Sequence, residues 1–242
     1  MTSAISIKGL TKDYKELRAV DNLDLDIKEG DFFGFLGPNG AGKTTTINSI
    51  IGLVKFQKGK IDVFGHDVIK NFREARSLIG ASSQEYFFDR YLNVREILIY
   101  QAGYFGIRKK DCEGRADMLL KQLGLWDKRK VTTNKLSGGM KRRVTLGKAM
   151  IHDPKILILD EPTAGMDVEL RLELWDFLKK ENKKGTTIFL TSHYLEEVEE
   201  LCKTIGIINQ GKLVKLGDKK SIVKDNKLQD VFLELTKLGN GK

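Results

Sequence analysis

The chain has 242 residues and a mass of 27.4 kDa, about the size of one large domain, so several independent cores are not expected. Hydrophobic residues make up 40% of it and charged residues 31%, which supports a buried core and excludes wholesale disorder or a fibre. No apolar run approaches the roughly 20 residues that cross a bilayer, and the first ten residues lack the pattern of a secretory signal. The composition therefore predicts a globular protein that stays in the cytoplasm.

The positive charge is concentrated in the middle of the sequence. The net charge is +9, and residues 107–150 hold 13 lysines and arginines against four acidic residues. The remaining 198 residues carry 29 residues of each sign. Such a segment fits a solvated helix face, a surface that meets nucleotide phosphates or one that meets an anionic membrane, and the charge count leaves all three open.

The first hundred residues have the pattern of short strands that feed into helices. Residues 5–10 and 23–27 alternate apolar and polar side chains, which predicts two half-buried strands and an N-terminal antiparallel β subdomain. Residues 32–36 are continuously apolar, as in a strand covered on both faces. They lead into a glycine-rich turn, after which a helix is predicted over residues 42–51.

The middle third of the chain has a different pattern. Its apolar residues recur at helical spacing, as at Val94, Ile97 and Leu98, and none of its runs resembles a strand. This pattern predicts an inserted α-helical subdomain at about residues 85–145. The whole chain, residues 1–242, is then a single domain.

Strands and helices alternate again in the last hundred residues. Strands are predicted over residues 155–160 and 186–191, and helices over residues 168–180 and 194–202, before a hairpin-like pair and a final amphipathic helix. This alternation predicts an α/β fold whose mixed or parallel sheet is covered on both faces. Ligands of such a fold bind at the carboxyl ends of the strands.

The turn after residues 32–36 matches the pattern G-x-x-x-x-G-K-[ST], between a strand and a helix as the pattern requires, and predicts a P-loop NTPase core. Its glycines let backbone N–H groups converge on phosphates, and the helix N-terminus adds a partial positive charge. Lys43 would reach the β- and γ-phosphates of ATP, and the Thr44 hydroxyl would bind Mg²⁺. A glycine-rich tight turn without a ligand is the alternative. The candidate phosphate-binding residues are Gly37, Pro38, Asn39, Gly40, Ala41, Gly42, Lys43, Thr44 and Thr45.

Two carboxylates follow the apolar run of residues 156–159. Asp160 and Glu161 would emerge at the end of a buried strand, where a metal-bound triphosphate would lie. We expect Asp160 to organise Mg²⁺ and Glu161 to polarise the attacking water, because phosphoryl transfer needs charge neutralisation and positioning. The alternative is a strand that ends at an acidic surface turn.

A second anion receptor is predicted at another helix. Ser137, Gly138 and Gly139 open a helix with a basic first turn, and a serine followed by two glycines at a helix N-terminus offers N–H groups to an anion. With the phosphate turn and the acidic pair, this segment resembles the signature of ATP-binding cassette (ABC) ATPases. The resemblance implies a head-to-tail homodimer, in which the signature of one protomer closes over the γ-phosphate held by the other.

The resemblance also implies roles for four further residues. Tyr14 would stack on the adenine ring, and Asp167 would lie at the dimer interface. Gln84 would contact Mg²⁺ and the water, and His193 would contact the γ-phosphate. The implied catalytic residues are Glu161, His193, Gln84 and Lys43, and the implied metal ligands are Thr44, Gln84 and Asp160.

The resemblance extends from Tyr14 to about Leu216. Residues 163–171 and 192–197 are most similar to the exporter branch of type-two transporters, and within it to YadG-like proteins. Two positions depart from the pattern. Met140 replaces the usual glutamine of the signature, and Ser83 replaces a proline that often precedes the loop glutamine.

The implied function is that of a cytoplasmic ATPase subunit, peripheral on the cytoplasmic face of the membrane. Two MgATP would be held between two copies of the chain, and their hydrolysis would drive a separate integral membrane permease, for export. Tyr86, Phe87, Phe88 and Tyr91 are the candidate groove for that permease. Core packing of these aromatic residues is the alternative.

The basic charge also suggests a nucleic-acid- or ribosome-associated ATPase of the same superfamily. Only 53 positions separate Gln84 from Ser137, too few for the long coiled-coil arm of the DNA-repair relatives, and one cassette is present where translation-associated members resemble a fused pair. We therefore expect no nucleic-acid partner. A GTPase is not expected either, because the sequence has no Asn-Lys-x-Asp guanine reader.

Overall fold

The computed structural model describes residues 2–83, 87–224 and 226–237. None of the helices in these ranges is long and apolar enough to cross a membrane. The strands are β1 (Ser3–Tyr14), β2 (Leu17–Lys28), β3 (Phe32–Leu36), β4 (Lys58–Val63), β5 (His66–Asp67), β6 (Ile79–Ser82), β7 (Ile156–Asp160), β8 (Thr187–Thr191), β9 (Thr204–Asn209) and β10 (Lys212–Asp218). The helices are α1 (Lys43–Ile50), α2 (Phe72–Ser77), α3 (Val94–Tyr104), α4 (Lys109–Gln122), α5 (Gly138–Met150), α6 (Val168–Lys183), α7 (Leu195–Leu201), α8 (Lys219–Val223) and α9 (Leu228–Lys237).

The N-terminal strands form a small antiparallel sheet. β1 and β2 pair over most of their length, with Ile7 opposite Leu25, and β4 and β5 complete the order β2-β1-β4-β5. Alternate residues of β2 are buried in its second half, because successive side chains of a strand point to opposite faces. The predicted N-terminal antiparallel β subdomain is confirmed, with β1 and β2 longer than expected, at 12 residues each.

The larger sheet has the order β10-β9-β3-β8-β7-β6. β9, β3, β8, β7 and β6 run parallel, and β10 adds an antiparallel edge strand. All residues of β3, β7 and β8 are buried. The predicted α/β fold with a mixed sheet is confirmed, and the carboxyl ends of these three strands lie side by side at one edge of the sheet.

Two hydrophobic cores lie on opposite faces of this sheet, and β3 contributes to both. Phe33 and Phe35 pack on Phe189 of β8, with ring centroids 5.4 and 5.5 Å apart, in the core shared with the antiparallel sheet. Phe32 and Leu36 point the other way, into the core that contains the helices. The continuous apolar run of this strand is explained by its burial on both faces.

The helical segment packs onto that second core. α3 begins with a capping box, in which Asn93 and Glu96 exchange side-chain to backbone hydrogen bonds, an arrangement that stabilises a helix N-terminus. α3 and α4 lie within residues 85–145, whereas α5 continues to Met150. Buried residues of all three helices share one core with strands of the larger sheet, and the limits of an inserted subdomain stay a prediction.

Candidate functional site

The glycine-rich turn connects β3 to α1, and two of its positions require glycine. A Cβ at Gly37 would lie 2.4 Å from the carbonyl oxygen of Ile208 in β9, and one at Gly42 would lie 2.4 Å from that of Ala19 in β2. Gly42 also has a φ of 106°, in the left-handed region that favours glycine. The neighbouring strands therefore fix the turn, whose N–H groups lie at the N-terminus of α1, where anions are favoured.

Lys43 is the first residue of α1 and is buried within the turn. Its Nζ donates hydrogen bonds to the carbonyl oxygens of Gly37 at 2.6 Å and Pro38 at 3.1 Å. Burial lowers the pKa of its ammonium group, and the carboxylates of Glu161 and Asp160 raise it. Lys43 therefore interacts electrostatically with both carboxylates at the end of β7, those of Asp160 and Glu161.

The other residues of the turn have different exposures. Asn39 and Gly40 are exposed at its tip, and Ala41 is buried. Thr44 is exposed and Thr45 is half-buried in the first turn of α1. Thr44, whose hydroxyl is predicted to bind Mg²⁺, is thus exposed to solvent.

Asp160 is fixed by the neighbouring strand. It ends β7 directly opposite Thr191, which ends β8, and the Thr191 Oγ1 hydroxyl donates to Asp160 Oδ1 at 2.5 Å. The Glu161 N–H donates to the carbonyl oxygen of Thr191 at 3.0 Å. Thr191 is a site residue that the sequence reasoning missed, and its signal is a hydroxyl at the end of the strand that pairs with the acidic strand.

Glu161 and His193 come together across the same edge. Nε2 of His193 contacts Oε1 of Glu161, although 32 positions separate the two residues. The Glu161 side chain is 14% exposed and that of His193 is 42% exposed, so water can reach the pair. Glu161 has a φ of 50°, an uncommon conformation for a residue with a side chain, which is often found at functional sites.

Tyr14 lies at the exposed end of β1. Lys12 Nζ lies 4.5 Å from the centroid of its ring, a cation–π distance. The β1–β2 hairpin that carries it is joined to the phosphate turn through the β9–β10 connection, because the Asp21 N–H donates to the Gly211 oxygen and the Gly211 N–H donates to the Ala41 oxygen. Tyr14 is therefore on the hairpin that adjoins the phosphate turn.

The predicted second anion receptor, residues 137–139, lies at the start of α5 and beside α6. Ser137 is the N-cap of α5, and its side chain accepts a hydrogen bond of 3.3 Å from the backbone N–H three residues on. A Cβ at Gly139 would lie 3.3 Å from Leu170 Cδ1 in α6. Gly138 is exposed, and Asp167 is exposed as the N-cap of α6. The serine–glycine turn therefore lies beside the helix that begins at Asp167.

Gln84 lies outside the described residues, and its role stays a prediction. The described chain before it ends at Ser83, whose carbonyl oxygen accepts a hydrogen bond of 2.8 Å from Arg142 Nη1. Arg142 is buried in α5. The helix that begins at the serine–glycine turn thus holds the end of β6, a contact that the sequence reasoning missed.

An apolar groove of about 670 Å³ lies near this contact, between α2, α3 and α5. Phe87 and Phe88, two residues of the predicted aromatic cluster, line it. Lys148 Nζ donates to the Phe87 carbonyl oxygen at 3.3 Å, and burial lowers the pKa of this lysine. Tyr91 is 91% exposed and does not line the groove within the described residues, and Tyr86 lies outside them.

The chemistry of the predicted metal ligands fits Mg²⁺. Thr44 and Asp160 offer hydroxyl and carboxylate oxygens, the hard donors that this ion prefers. In the ranges that the structure describes, no group of three or more His, Cys, Asp or Glu residues could hold a metal. Mg²⁺ is usually bound by one or two carboxylates together with substrate phosphates, and Asp160 is such a carboxylate.

The fold and the site together define a nucleotide hydrolase built around a phosphate-binding loop at the edge of a mixed sheet. The family model for ABC transporters matches residues 20–164. The chain belongs to this family, and it is an ABC ATPase, the ATP-binding part of a transporter.

Individual relatives support the assignment over most of the chain. The linearmycin resistance ATP-binding protein LnrL of Bacillus subtilis is 39% identical over 215 residues, which are 89% of this chain and 69% of LnrL. The Nod factor export ATP-binding protein I of Paraburkholderia xenovorans is 37% identical over 221 residues, which are 91% of this chain and 73% of that protein. A dimeric structure of the ATP-binding cassette MJ0796, bound to ADP and Pi, has a TM-score of 0.82 at 25% identity and covers 88% of this chain and 98% of that one.

These findings confirm the family and the ATPase activity that the motifs implied. They also favour the transporter ATPase over the nucleic-acid- or ribosome-associated ATPase. The roles of the individual site residues stay predictions.

Proposed function

We propose that this ATPase binds and hydrolyses MgATP at the edge where β3, β7 and β8 end. The observation that supports this is the convergence of four side chains there. Lys43 is buried within reach of Asp160 and Glu161, and His193 contacts Glu161. A cation, a metal ligand and a base held at one place are what phosphoryl transfer requires.

Each residue of this group has a separate role in the proposal. Lys43 and the N–H groups of residues 37–45 balance the charge of the phosphates. Asp160 and Thr44, with Gln84, would hold Mg²⁺, which supplies charge neutralisation when bound. Glu161 orients the attacking water and accepts its proton, and His193 holds the Glu161 carboxylate in position.

The second anion receptor completes the site in a homodimer. Ser137, Gly138 and Gly139 of one protomer cover the γ-phosphate held by its partner, and Asp167 crosses the interface beside them. In support, this turn lies beside α6, whereas Lys43 begins α1 in the turn that follows β3. The similar MJ0796 cassette is dimeric. Tyr14 stacks on the adenine of the same protomer.

The proposed partner is a separate integral membrane permease, which the ATPase binds on the cytoplasmic face of the membrane. The relatives include a Nod factor export protein, which supports export as the direction. The groove lined by Phe87 and Phe88 is the proposed docking site. Arg73, Arg76 and Lys148 also line it, so it suits an amphipathic segment that carries an acidic side chain.

The test is Glu161→Gln, which keeps the shape of the side chain and removes the base. Hydrolysis should fall by roughly 10²- to 10⁴-fold, the usual contribution of a positioned base. ATP binding should be retained, and the variant should form an ATP-dependent dimer, measured by light scattering. Glu169→Gln, an exposed acid in α6, is the matched control and should behave as wild type. Normal turnover in the Glu161 variant, or a monomer at saturating MgATP, would contradict the proposal.

A further inference from the structure

A buried carboxylate lies in α7, the helix that follows His193, and the sequence motifs assign it no role. Glu197 is on the first turn of α7 and has no exposed surface. Burial raises the pKa of its carboxyl group, and nearby Ser192, Trp175, Thr163 and Arg171 lower it. Burying a carboxylate costs free energy unless hydrogen bonds or opposite charges compensate for the lost water. The neighbours of the Glu197 carboxyl therefore indicate its role.

The first partner is in α6. The Trp175 indole N–H donates to Glu197 Oε1 at 3.0 Å. The Arg171 guanidinium lies 5.5 Å from the ring centroids of both Trp175 and Tyr194, which places its charge between α6 and the start of α7. The carboxyl of Glu197 is therefore anchored to the helix that begins at Asp167.

The second partner is in the loop of His193. The Ser192 hydroxyl accepts a hydrogen bond of 3.0 Å from the Tyr194 N–H, and the Glu197 N–H donates to the Tyr194 oxygen at 3.1 Å. The backbone of Glu197 is thereby joined to the loop of His193, and the Ser192 side chain also lowers the pKa of the Glu197 carboxyl. The turn that presents His193 is thus closed by Glu197.

The third partner is in the loop that joins Glu161 to Asp167. Thr163 is buried at the centre of that loop. Its carbonyl oxygen accepts from the Met166 N–H at 3.1 Å, and the Ala164 N–H donates to the Glu161 oxygen at 3.2 Å. In the part of the chain that is described, Thr163 Oγ1 and Glu197 Oε2 are buried without a hydrogen bond of good geometry. The described link from the Glu197 carboxyl to this side of the site is therefore the hydrogen bond from Trp175 in α6, the helix that follows the loop.

We propose that Glu197 is a positioning residue, which joins α6, the helix that begins at Asp167, to the loop of His193 through the bond of its carboxyl to Trp175 and of its backbone N–H to Tyr194. A contact that Asp167 makes across the dimer interface then reaches the Glu161–His193 pair through this carboxyl. The inference rests on the proposed function, because it assumes that Asp167 meets a partner protomer. Glu197 itself is fully buried and acts through its neighbours.

The experiment compares Glu197→Leu, which keeps the volume and removes the hydrogen bonds, with Glu197→Gln, which keeps an acceptor and a donor. The leucine variant should lower kcat by roughly 10- to 100-fold, the effect of a small misplacement of catalytic groups, with the KM for ATP unchanged within about twofold. The glutamine variant should recover most of kcat. Glu196→Leu, at the exposed neighbouring position, is the matched control and should have wild-type kinetics.

A double-mutant cycle tests the link to Asp167. Asp167→Ala should lower kcat in the wild type and have little further effect in the Glu197→Leu background, because residues that act through one connection are not additive. Additive losses, a matched rise in KM, or failure of glutamine to restore kcat would overturn the proposal. If Glu197→Leu does not fold, Trp175→Phe, which removes the donor to the carboxyl, decides, and an unchanged kcat in that variant would overturn the proposal.

The double-mutant cycle is interpreted together with the Glu161→Gln variant. That variant is expected to lose hydrolysis and to dimerise with ATP. If that variant does neither, the proposed function has failed. If it does both and the Glu197 variants do not behave as described, only the role of Glu197 has failed.

Discussion

The two predicted anion receptors, the phosphate turn and the serine–glycine turn, differ in how many of their interactions lie within one protomer. At the phosphate turn, Lys43 is hydrogen-bonded and within reach of two carboxylates, one of which is fixed by Thr191. At the serine–glycine turn, Ser137 caps its own helix and is exposed. Preorganised donors need no rearrangement to bind charge. Within the described residues, the phosphate turn therefore has a cation and two carboxylates in the same chain, and the exposure of Ser137 agrees with our proposal that the serine–glycine turn meets a ligand held by another protomer.

Among the variants that test this comparison, the largest effect is expected from the one that disrupts the second receptor alone. Ser137→Arg places a bulky charge at the proposed interface, and should lower turnover by roughly 10²- to 10³-fold, as the loss of a transition-state donor does. ATP-dependent dimer formation should be lost, measured by light scattering, while nucleotide binding to the monomer stays within about twofold.

The control for this variant is Asn134→Arg, which adds the same charge at a nearby exposed position and should dimerise normally. A Ser137 variant that dimerises but binds ATP weakly would show that the two receptors are not separate in the way proposed.

A smaller effect is expected from the first receptor. Lys43→Met keeps the length of the side chain and removes its charge, so that about 1.5–3 kcal/mol of charged hydrogen bonding is lost. ATP should then bind roughly 10- to 100-fold more weakly, measured by nucleotide titration of the monomer. Lys55→Met, at an exposed position after α1, should bind as wild type. Unchanged affinity in the Lys43 variant would separate this lysine from the phosphates.

The smallest effect tests how the first receptor is fixed. Thr191→Val removes the donor to Asp160 Oδ1 without changing the shape, and should lower kcat by about tenfold while destabilising the fold by about 1–3 kcal/mol. Thr187→Val, at the other end of β8, removes a hydroxyl that accepts from the Gly30 N–H at 3.0 Å. It should cost similar stability, measured by urea denaturation, and leave kcat unchanged. Equal kcat losses in both variants would indicate a general effect of strand stability.

Several elements could not be predicted from local pattern. β6 has four residues, and a Cβ at its Gly80 would lie 2.1 Å from the carbonyl oxygen of Ala149 in α5. It is a strand because it pairs with β7 and fits under a helix distant in sequence. β4 has only two buried residues, Ile61 and Val63, too few to produce an alternating signal. Short elements of this kind depend on their neighbours for their structure.

The burial of Glu197 could be predicted from the sequence only in part. It precedes Val198 and lies four positions before Leu201, both buried, so helical periodicity places it on the inner side of α7. The sequence could not show which of the neighbouring acids is buried with partners, because Trp175 and Thr163 come from distant positions. The hydrogen bond from Arg142 to Ser83 could not be predicted from the sequence for the same reason, since 59 positions separate the two residues.

The sequence by itself determined the fold class and the family, and it supplied the candidate residues of both anion receptors, because each of these rests on a contiguous pattern. A buried strand, a glycine turn and a helix start are local, and their backbone geometry follows from a few neighbouring residue types. Only the tertiary structure decided which side chains meet. The bond from Thr191 to Asp160, the contact between His193 and Glu161 and the partners of Glu197 all join separate loops, and their distances depend on how the parallel strands align and the helices pack against them.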